Sequence, residues 1–295
     1  MYSTFAWFFA LISRCDMIPA GTGTGSVRGT MIRIIQKPTD TPDDNSTGMV
    51  AAELTRMGAP WQYLDLDEID PFAGTPAGDL IWVCGMRQDT ASFELLNILA
   101  LENRVVNSPD SIAACASKAR TTGMLLKAGV FTPDTVFTSS PAAAESFLER
   151  HGKIVYKPLY GFDGNGIFPL TSPGDLPDPP WYLQEYIEND RDFRIFVIDG
   201  EAVGAIERRS DGFAHNIHQG GSGRAVAISP EMAEIAGGAA RAIGIDYCGV
   251  DLLIHDGGYT VLEVNGTPNW HCMNVPIPRL IARYLVEAEK VFRSR

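Results

Sequence analysis

Two carboxylates and an amide sit inside apolar sequence near the end of the chain, where burial normally excludes them. The run Tyr247-Cys248-Gly249-Val250-Asp251-Leu252-Leu253-Ile254 leads through His255-Asp256-Gly257-Gly258 into Tyr259-Thr260-Val261-Leu262-Glu263-Val264-Asn265. Two β-branched apolar runs around a Gly-Gly turn predict a β-hairpin. Glu263 and Asn265 are two apart, so a strand turns both to one face. A three-residue turn at Asp256-Gly257-Gly258 would pair Asp251 directly with Glu263. Carboxylates held that close repel, and a hard oxygen-loving cation such as Mg²⁺ relieves the repulsion. A half-exposed surface hairpin shows the same alternation, with the polar residues facing water.

A second group of residues suits a phosphate. Lys153-Ile154-Val155-Tyr156-Lys157-Pro158 reads as a strand, followed by glycines at Gly161, Gly164 and Gly166. Backbone N–H groups of such loops approach phosphate oxygens closely. A dinucleotide-binding loop would open a helix, whereas Ile167-Phe168-Pro169-Leu170 reads as another strand, with Pro169 against a helix. The expected element is a glycine flap between two strands, with Lys157 at its base. No Gly-Lys-Ser/Thr follows the glycines, which excludes a Walker A loop, and the second strand leaves a nucleotide-dependent dehydrogenase without its motif.

These groups need elements to hold them. From Met31 to about Asn107 strands at Ile32–Ile35, Gln62–Leu66, Leu80–Cys84 and Val105–Val106 alternate with helices at Thr47–Met57 and Ala91–Leu101, which predicts a small parallel α/β domain. Ligands of such sheets lie beyond the strands' carboxyl ends, so Arg87, just after the third strand, is a candidate anion contact. Ser108-Pro109-Asp110 reads as a helix start, with Ser108 as N-cap and Lys118 carried on the helix. Asp192–Ile198 and Ala202–Arg209 form a hairpin around Asp199-Gly200. Phe213–Arg224 reads as a polar binding loop, Pro230–Gly244 as an amphipathic helix, and Pro276–Arg293 as a closing helix. Residues 1–30 differ in character, and Met31 is the expected true start, with an upstream extension before it.

Taken in order, these residues resemble the RimK-like carboxylate–amine ligases of the ATP-grasp superfamily. The resemblance runs from about Met31 onward and is densest from Asn107 to Pro268. It rests on Asn107-Ser108 to Lys118, Lys157-Pro158 before Gly161–Gly166, Leu183-Gln184-Glu185-Tyr186-Ile187, Asp192-x-Arg194, Ala205-Ile206-Glu207-Arg208-Arg209, Asn216-x-His218-x-Gly220-Gly221, Gly249-Val250-Asp251 and Glu263-Val264-Asn265. It implies an α+β ATP-grasp fold: an N-terminal α/β domain over 31–107, a central subdomain with the flap over 108–182, and a C-terminal subdomain with the metal site over 183–295. It implies that Lys118, Lys157 and the flap (Gly161, Gly164, Gly166) contact ATP phosphates. Gln184, Glu185 and Tyr186 would line the adenine pocket, and Asp192 the ribose or acceptor side. Arg208 and Asn216, with Lys157, would serve the reacting acyl phosphate. Asp251, Glu263 and Asn265 would hold one or two Mg²⁺, with Mn²⁺ as substitute. The implied reaction activates a carboxylate with ATP and lets an amine, L-glutamate in the family, displace phosphate. The acceptor would be a small cofactor such as tetrahydromethanopterin or the deazaflavin coenzyme, with a protein or carrier-protein carboxylate, or a non-catalytic ATP-binding module, as alternatives. Ala214 and Gln219 stand where family members often carry Arg, and Gly266–Cys272 also departs from the common form.

Composition sets outer bounds. The 295 residues suffice for one large or several small domains. A net charge of -12 argues against a nucleic-acid surface, which needs clustered Lys and Arg. No apolar run approaches a membrane span, so no membrane partner is expected. Five scattered cysteines without a Cys-x-x-Cys pair fit a reducing, cytoplasmic setting and no structural zinc. A homo-oligomer is an expectation from the family alone.

Overall fold

The computed structural model describes residues 31–74, 76–160, 166–209 and 222–294. The proposed extension 1–30, flap glycines Gly161 and Gly164, and the loop residues Ala214, Asn216, His218 and Gln219 lie outside the described residues.

Three sheets carry the fold. The first is parallel: β1 (Ile32–Ile35), β2 (Trp61–Tyr63), β3 (Leu80–Val83) and β4 (Arg104–Val106), in the order β2-β1-β3-β4. Helices α1 (Ser46–Arg56) and α2 (Thr90–Leu99) connect its strands, capped by Asn45 and Asp89 side chains that accept backbone N–H bonds. Alternation divides the sheet's two faces. Ile32, Ile34, Leu80 and Trp82 pack with α1 and the closing helix α7 (Ile277–Arg293), while Ile81 and Val83 pack with Leu96 and Leu99 of α2. The wholly apolar β3 is the signature of a parallel strand covered on both sides. The strand expected at Gln62–Leu66 is shorter, because Asp65 accepts the Asp67 N–H and starts a 3₁₀ turn, Leu66–Glu68.

Helices α3 (Pro109–Ala116) and α4 (Lys118–Lys127) follow. Ser108 caps α3 as expected, but the helix does not carry Lys118. Ser117 is extended, and its side chain accepts the Arg120 N–H, so Lys118 opens a second helix. The Lys118 backbone N–H donates to the Leu159 carbonyl at 3.3 Å, tying that helix start to the base of the flap.

The second sheet is antiparallel, β5 (Thr135–Thr138), β6 (Ile154–Lys157), β7 (Phe168–Leu170) and β8 (Trp181–Glu185), ordered β5-β8-β6-β7. Pro169 is tolerated because β7 is an edge strand. Ile154, Trp181 and Leu183 bury against Phe147 of α5 (Pro141–His151), which leaves Val155, Lys157, Tyr182 and Gln184 on the opposite face.

The third sheet is antiparallel, ordered β11-β10-β9-β12-β13: β9 (Asp192–Ile198), β10 (Glu201–Arg209), β11 (Ser222–Ala225), β12 (Tyr247–His255) and β13 (Gly258–Asn265). The β9–β10 turn has Asp199 and Gly200 at φ 52° and 76°, the geometry of a two-residue hairpin. The end of the expected loop Phe213–Arg224 is strand instead, since Ser222–Ala225 pairs with the edge of β10. Helix α6 (Pro230–Ile243), ended by Gly244 in the left-handed region, covers one face through Met232, Ala236, Ala239, Ala240 and Ile243. Among the described residues no helix is long and apolar enough to cross a membrane.

The buried Asn107, just past β4, helps join the parallel sheet to the hairpin. Asn107 Nδ2 donates to the carbonyls of Tyr247 (2.8 Å) and Gly266 (2.7 Å), and its Oδ1 accepts the Tyr247 N–H at 3.0 Å. Asn107→Ala strands these buried backbone groups and is expected to cost about 2–4 kcal/mol. A urea titration checks this: the midpoint should fall with an unchanged slope.

Candidate active site

The register of the third sheet assembles the site. Arg194 of β9 lies opposite Asp251 of β12, Asp251 opposite Glu263 of β13, and Asp192 of β9 opposite Arg208 of β10. Directly opposed residues share a face, so all five side chains meet on the side away from α6.

The Asp251–Glu263 pairing arises by a different route from the one expected. The turn holds two residues, Asp256 and Gly257 (φ 49° and 81°), and pairs His255 with Gly258 through Leu252 with Val261. That register alone would set Asp251 against Leu262. A β-bulge between Leu252 and Asp251 inserts one residue on β13 and brings Glu263 opposite Asp251. Val261 and Val264, three apart, accordingly both reach the α6 core, which plain alternation forbids.

Charge pairing on this face is tight. Arg194 Nε and Nη2 donate to the two oxygens of Asp251, both at 2.7 Å. Arg208 Nε and Nη2 donate to Asp192 at 2.6 and 2.9 Å, and Nη2 also lies 2.9 Å from Asp251 Oδ2. Burial alone would raise the Asp251 pKa, but the charges of Arg194 and Arg208 hold it down to about 2. Gly249 makes room for this pairing, since a Cβ there would stand 2.9 Å from Pro268 Cβ and 3.3 Å from Arg194 Cδ. Asn265 Nδ2 is 3.4 Å from the Gly249 carbonyl and 3.5 Å from Asp251.

Glu263 is half-buried and makes no recorded hydrogen bond or ion pair among the described residues. Burial raises its pKa, the Asp251 charge adds to the rise, and Lys118, Lys157 and Arg194 oppose it. Among the described residues no cluster of three or more His, Cys, Asp or Glu is arranged to hold a metal. Magnesium at a nucleotide uses one or two carboxylates plus phosphate oxygens and water, so the unpartnered Glu263 beside Asp251 and Asn265 suits it.

Two cavities meet here. The first is lined by Lys118, Lys157, Tyr182, Gln184, Glu185 and Glu263, with Leu253 and Leu262 below. Lys157 Nζ donates to Gln184 Oε1, and Gln184 Nε2 donates to Thr135 Oγ1 at 3.1 Å. The Gln184 side chain is thus fixed by protein groups, and Glu185 reaches His255 at 3.1 Å. Tyr186, expected to line the adenine pocket in part through its backbone, is not among the described residues lining this cavity. It lies past the end of β8, with Lys153 Nζ 3.5 Å from its ring centroid, and Ile187 and Asn189 line the cavity instead. Asp192 and Arg208 also line it, paired with each other.

The second cavity runs from Arg194, Arg208, Glu263 and Asn265 to the carboxyl ends of β1 and β3, where Lys37, Gly85 and Arg87 lie. Arg87 is where the sheet's topology puts it, but it is exposed and ion-paired with Asp67 and Asp89. His271 Nε2 pairs with Asp44 at 3.0 Å, which gives His271 a structural partner rather than Cys272. Cys115 lines both cavities, yet burial, with the Glu263 charge adding, pushes its thiol up to about 12, so it is no nucleophile at neutral pH. Ile187 closes the Leu183–Ile187 run already singled out, but the sequence carried no signal for Lys37, Asn189 or Cys115 in the site, because their placement depends on how separate elements meet.

Burial pushes the Lys157 ammonium down to about 8; Glu263 and Asp251 oppose the shift and Lys118 adds to it. The charged form dominates below that value, so kcat/KM for ATP is expected to fall as pH rises above about 8 in the free enzyme. Lys157→Gln should flatten that limb and raise the KM for ATP; a wild-type profile level to pH 9.5 would remove Lys157 from the titration.

An N-terminal parallel sheet followed by two antiparallel sheets with a cavity between them is the architecture of the ATP-grasp fold. A solved ATP-grasp ligase, PsnB with a minimal precursor, superposes with a TM-score of 0.70 at 22% identity, covering 89% of this chain and 99% of that one. The chain belongs to the RimK-like ATP-grasp family, whose domain model matches residues 115–288. It is an ATP-dependent carboxylate–amine ligase by class, and its fold implies ATP and magnesium. Over 195 residues it is 32% identical to the tetrahydromethanopterin:alpha-L-glutamate ligase of Methanocaldococcus jannaschii, covering 60% of this chain and 67% of that protein. Over 218 residues it is 29% identical to the coenzyme gamma-F420-2:alpha-L-glutamate ligase of Methanococcus maripaludis, covering 68% and 76%.

Proposed function

We propose that this ligase joins L-glutamate to a carboxylate of a small cofactor of the tetrahydromethanopterin or F420 kind, using ATP. The observation that carries the reading is the meeting of the two cavities at Cys115, Arg208 and Glu263. A nucleotide in the first cavity would present its terminal phosphate where an acceptor carboxylate in the second could reach it. The named relatives supply the substrate class.

Lys118 and Lys157 would neutralise the phosphates, and Asp251, Glu263 and Asn265 would hold magnesium, with manganese able to replace it. The metal would stabilise charge on the transferring phosphoryl group. Arg208 would face the transferred phosphate, fixed in direction by Asp192. Asn216, Gly161, Gly164 and Gly166 would contribute from the flap and the acceptor loop. Closure over the nucleotide would keep water from the activated carboxylate. The setting would be the cytoplasm.

ADP and phosphate release with Mg²⁺-ATP, L-glutamate and tetrahydromethanopterin or F420-2 tests this. Release requiring both glutamate and acceptor supports it. Labelling only of a protein carboxylate, or ATP binding without release, overturns it.

A further inference from the structure

The sheet order β2-β1-β3-β4 places a topological switch point between β1 and β3. The chain leaves β1 in one direction and β3 in the other, which opens a crevice beyond their carboxyl ends. Lys37 lies two residues past β1, and Gly85 two residues past β3. Both line the second cavity. The Lys37 side chain is laid across Gly85: a Cβ there would stand 2.8 Å from Lys37 Cγ and 3.3 Å from its Cα and Cβ. The missing side chain is therefore what gives the lysine its path.

Lys37 differs from the other cations among the described residues that line this cavity. Arg194 and Arg208 are held by Asp251 and Asp192, Arg87 by Asp67 and Asp89, and His271 by Asp44. The Lys37 backbone is engaged, its N–H by Thr47 Oγ1 and its carbonyl by the Asp40 N–H, both at 3.1 Å, but among the described residues its ammonium has no recorded partner. The two carboxylates among the described lining residues do not serve it, since Asp44 holds His271 and Glu263 stands at the opposite end among the lysines of the first cavity. The space amounts to about 670 Å³, against about 110 Å³ in the first cavity, so a single amino acid would not fill it.

Resting on the ligase reading above, we propose that Lys37 is the anchor for a second anionic group on the acceptor. The acceptor would be a polyanion: one carboxylate at Arg208 and Glu263, where it reacts, and another carboxylate or phosphate at Lys37. A monocarboxylate would lack the second hold, so Lys37 sets specificity through acceptor KM without touching the reacting atoms.

Calorimetric titration with γ-L-glutamyl-L-glutamate, in the presence of Mg²⁺ and a non-hydrolysable ATP analogue, tests the anchor. Wild type should bind the probe at least tenfold more tightly than Lys37→Met, Lys37→Arg should stay within threefold of wild type, and Arg87→Met should lose less than Lys37→Met because its charge is already matched. Equal affinity in wild type and Lys37→Met, equal losses at both positions, or no binding by wild type overturns the proposal. Circular dichroism checks that each variant is folded. Turnover with tetrahydromethanopterin is scored separately: Lys37-dependent binding without turnover would sink the cofactor reading and keep the anchor, whereas turnover with an unchanged acceptor KM in Lys37→Met would do the reverse.

Discussion

Glu263→Gln is expected to slow ADP release by about 10²–10³-fold or more, while the protein melts no lower than wild type. Glutamine keeps the shape and one oxygen but removes the charge that the proposed metal needs. The fold, by contrast, does not depend on that charge. Glu263 has no recorded partner among the described residues, and burial followed by Asp251 raises its pKa. For an acid whose folded pKa is raised, the ionised form is favoured in the unfolded chain. Stability is therefore lost as pH climbs from the ordinary carboxylate value through the raised one, and the neutral variant escapes that loss. Thermal melting at pH 5 and pH 8 reads it directly: the variant's advantage should be larger at pH 8. ADP release at the wild-type rate from a folded variant would remove Glu263 from the metal site.

The same hairpin shows how far residue types and spacing carry. Asp251, Glu263 and Asn265 stand out in the sequence because polar groups interrupt β-branched runs, and the pairing of Asp251 with Glu263 follows from a turn of the right parity. The structure reaches that parity with a two-residue turn and a bulge at Leu262 rather than a three-residue turn. Bulges at leucine leave no compositional mark, unlike those at glycine, so the detour is invisible in the chain. Strand and helix identities in the parallel sheet are clear because each has its own period and caps. The break at Ser117 is harder to read, since serine in a helical run can either continue it or cap the next helix. Hardest of all are the arginine pairings. Arg194 and Asp251 are 57 residues apart and meet only through the register of β9 against β12. Arg87 illustrates the limit from the other side: topology puts it at the correct crevice, but Asp67, in the 3₁₀ turn just past the strand expected at Gln62–Leu66, matches its charge.

Arg208→Met is expected to lower stability by about 3–5 kcal/mol, because it removes a guanidinium that two buried carboxylates, Asp192 and Asp251, share. Asp192 is 4% exposed and receives two hydrogen bonds from Arg208. Asp251 suffers less, since Arg194 continues to hold both its oxygens. Its pKa of about 2 means that its own contribution is in place above the ordinary carboxylate value of 3.8 and is lost only as pH falls through about 2, so mild acid should not mimic the substitution. The decisive comparison is Arg208→Met with Asp192→Leu in one chain. Replacing a buried ion pair by apolar groups of similar volume is often neutral or better, so the double variant should regain most of the lost stability by urea titration. Its ADP release should nevertheless stay about 10²-fold or more below wild type, because the guanidinium proposed to face the transferred phosphate is still missing. Recovery of activity along with stability would show that Arg208 serves only to neutralise Asp192, and the charge at the junction of the two cavities would then have to come from Lys118 and Lys157 alone.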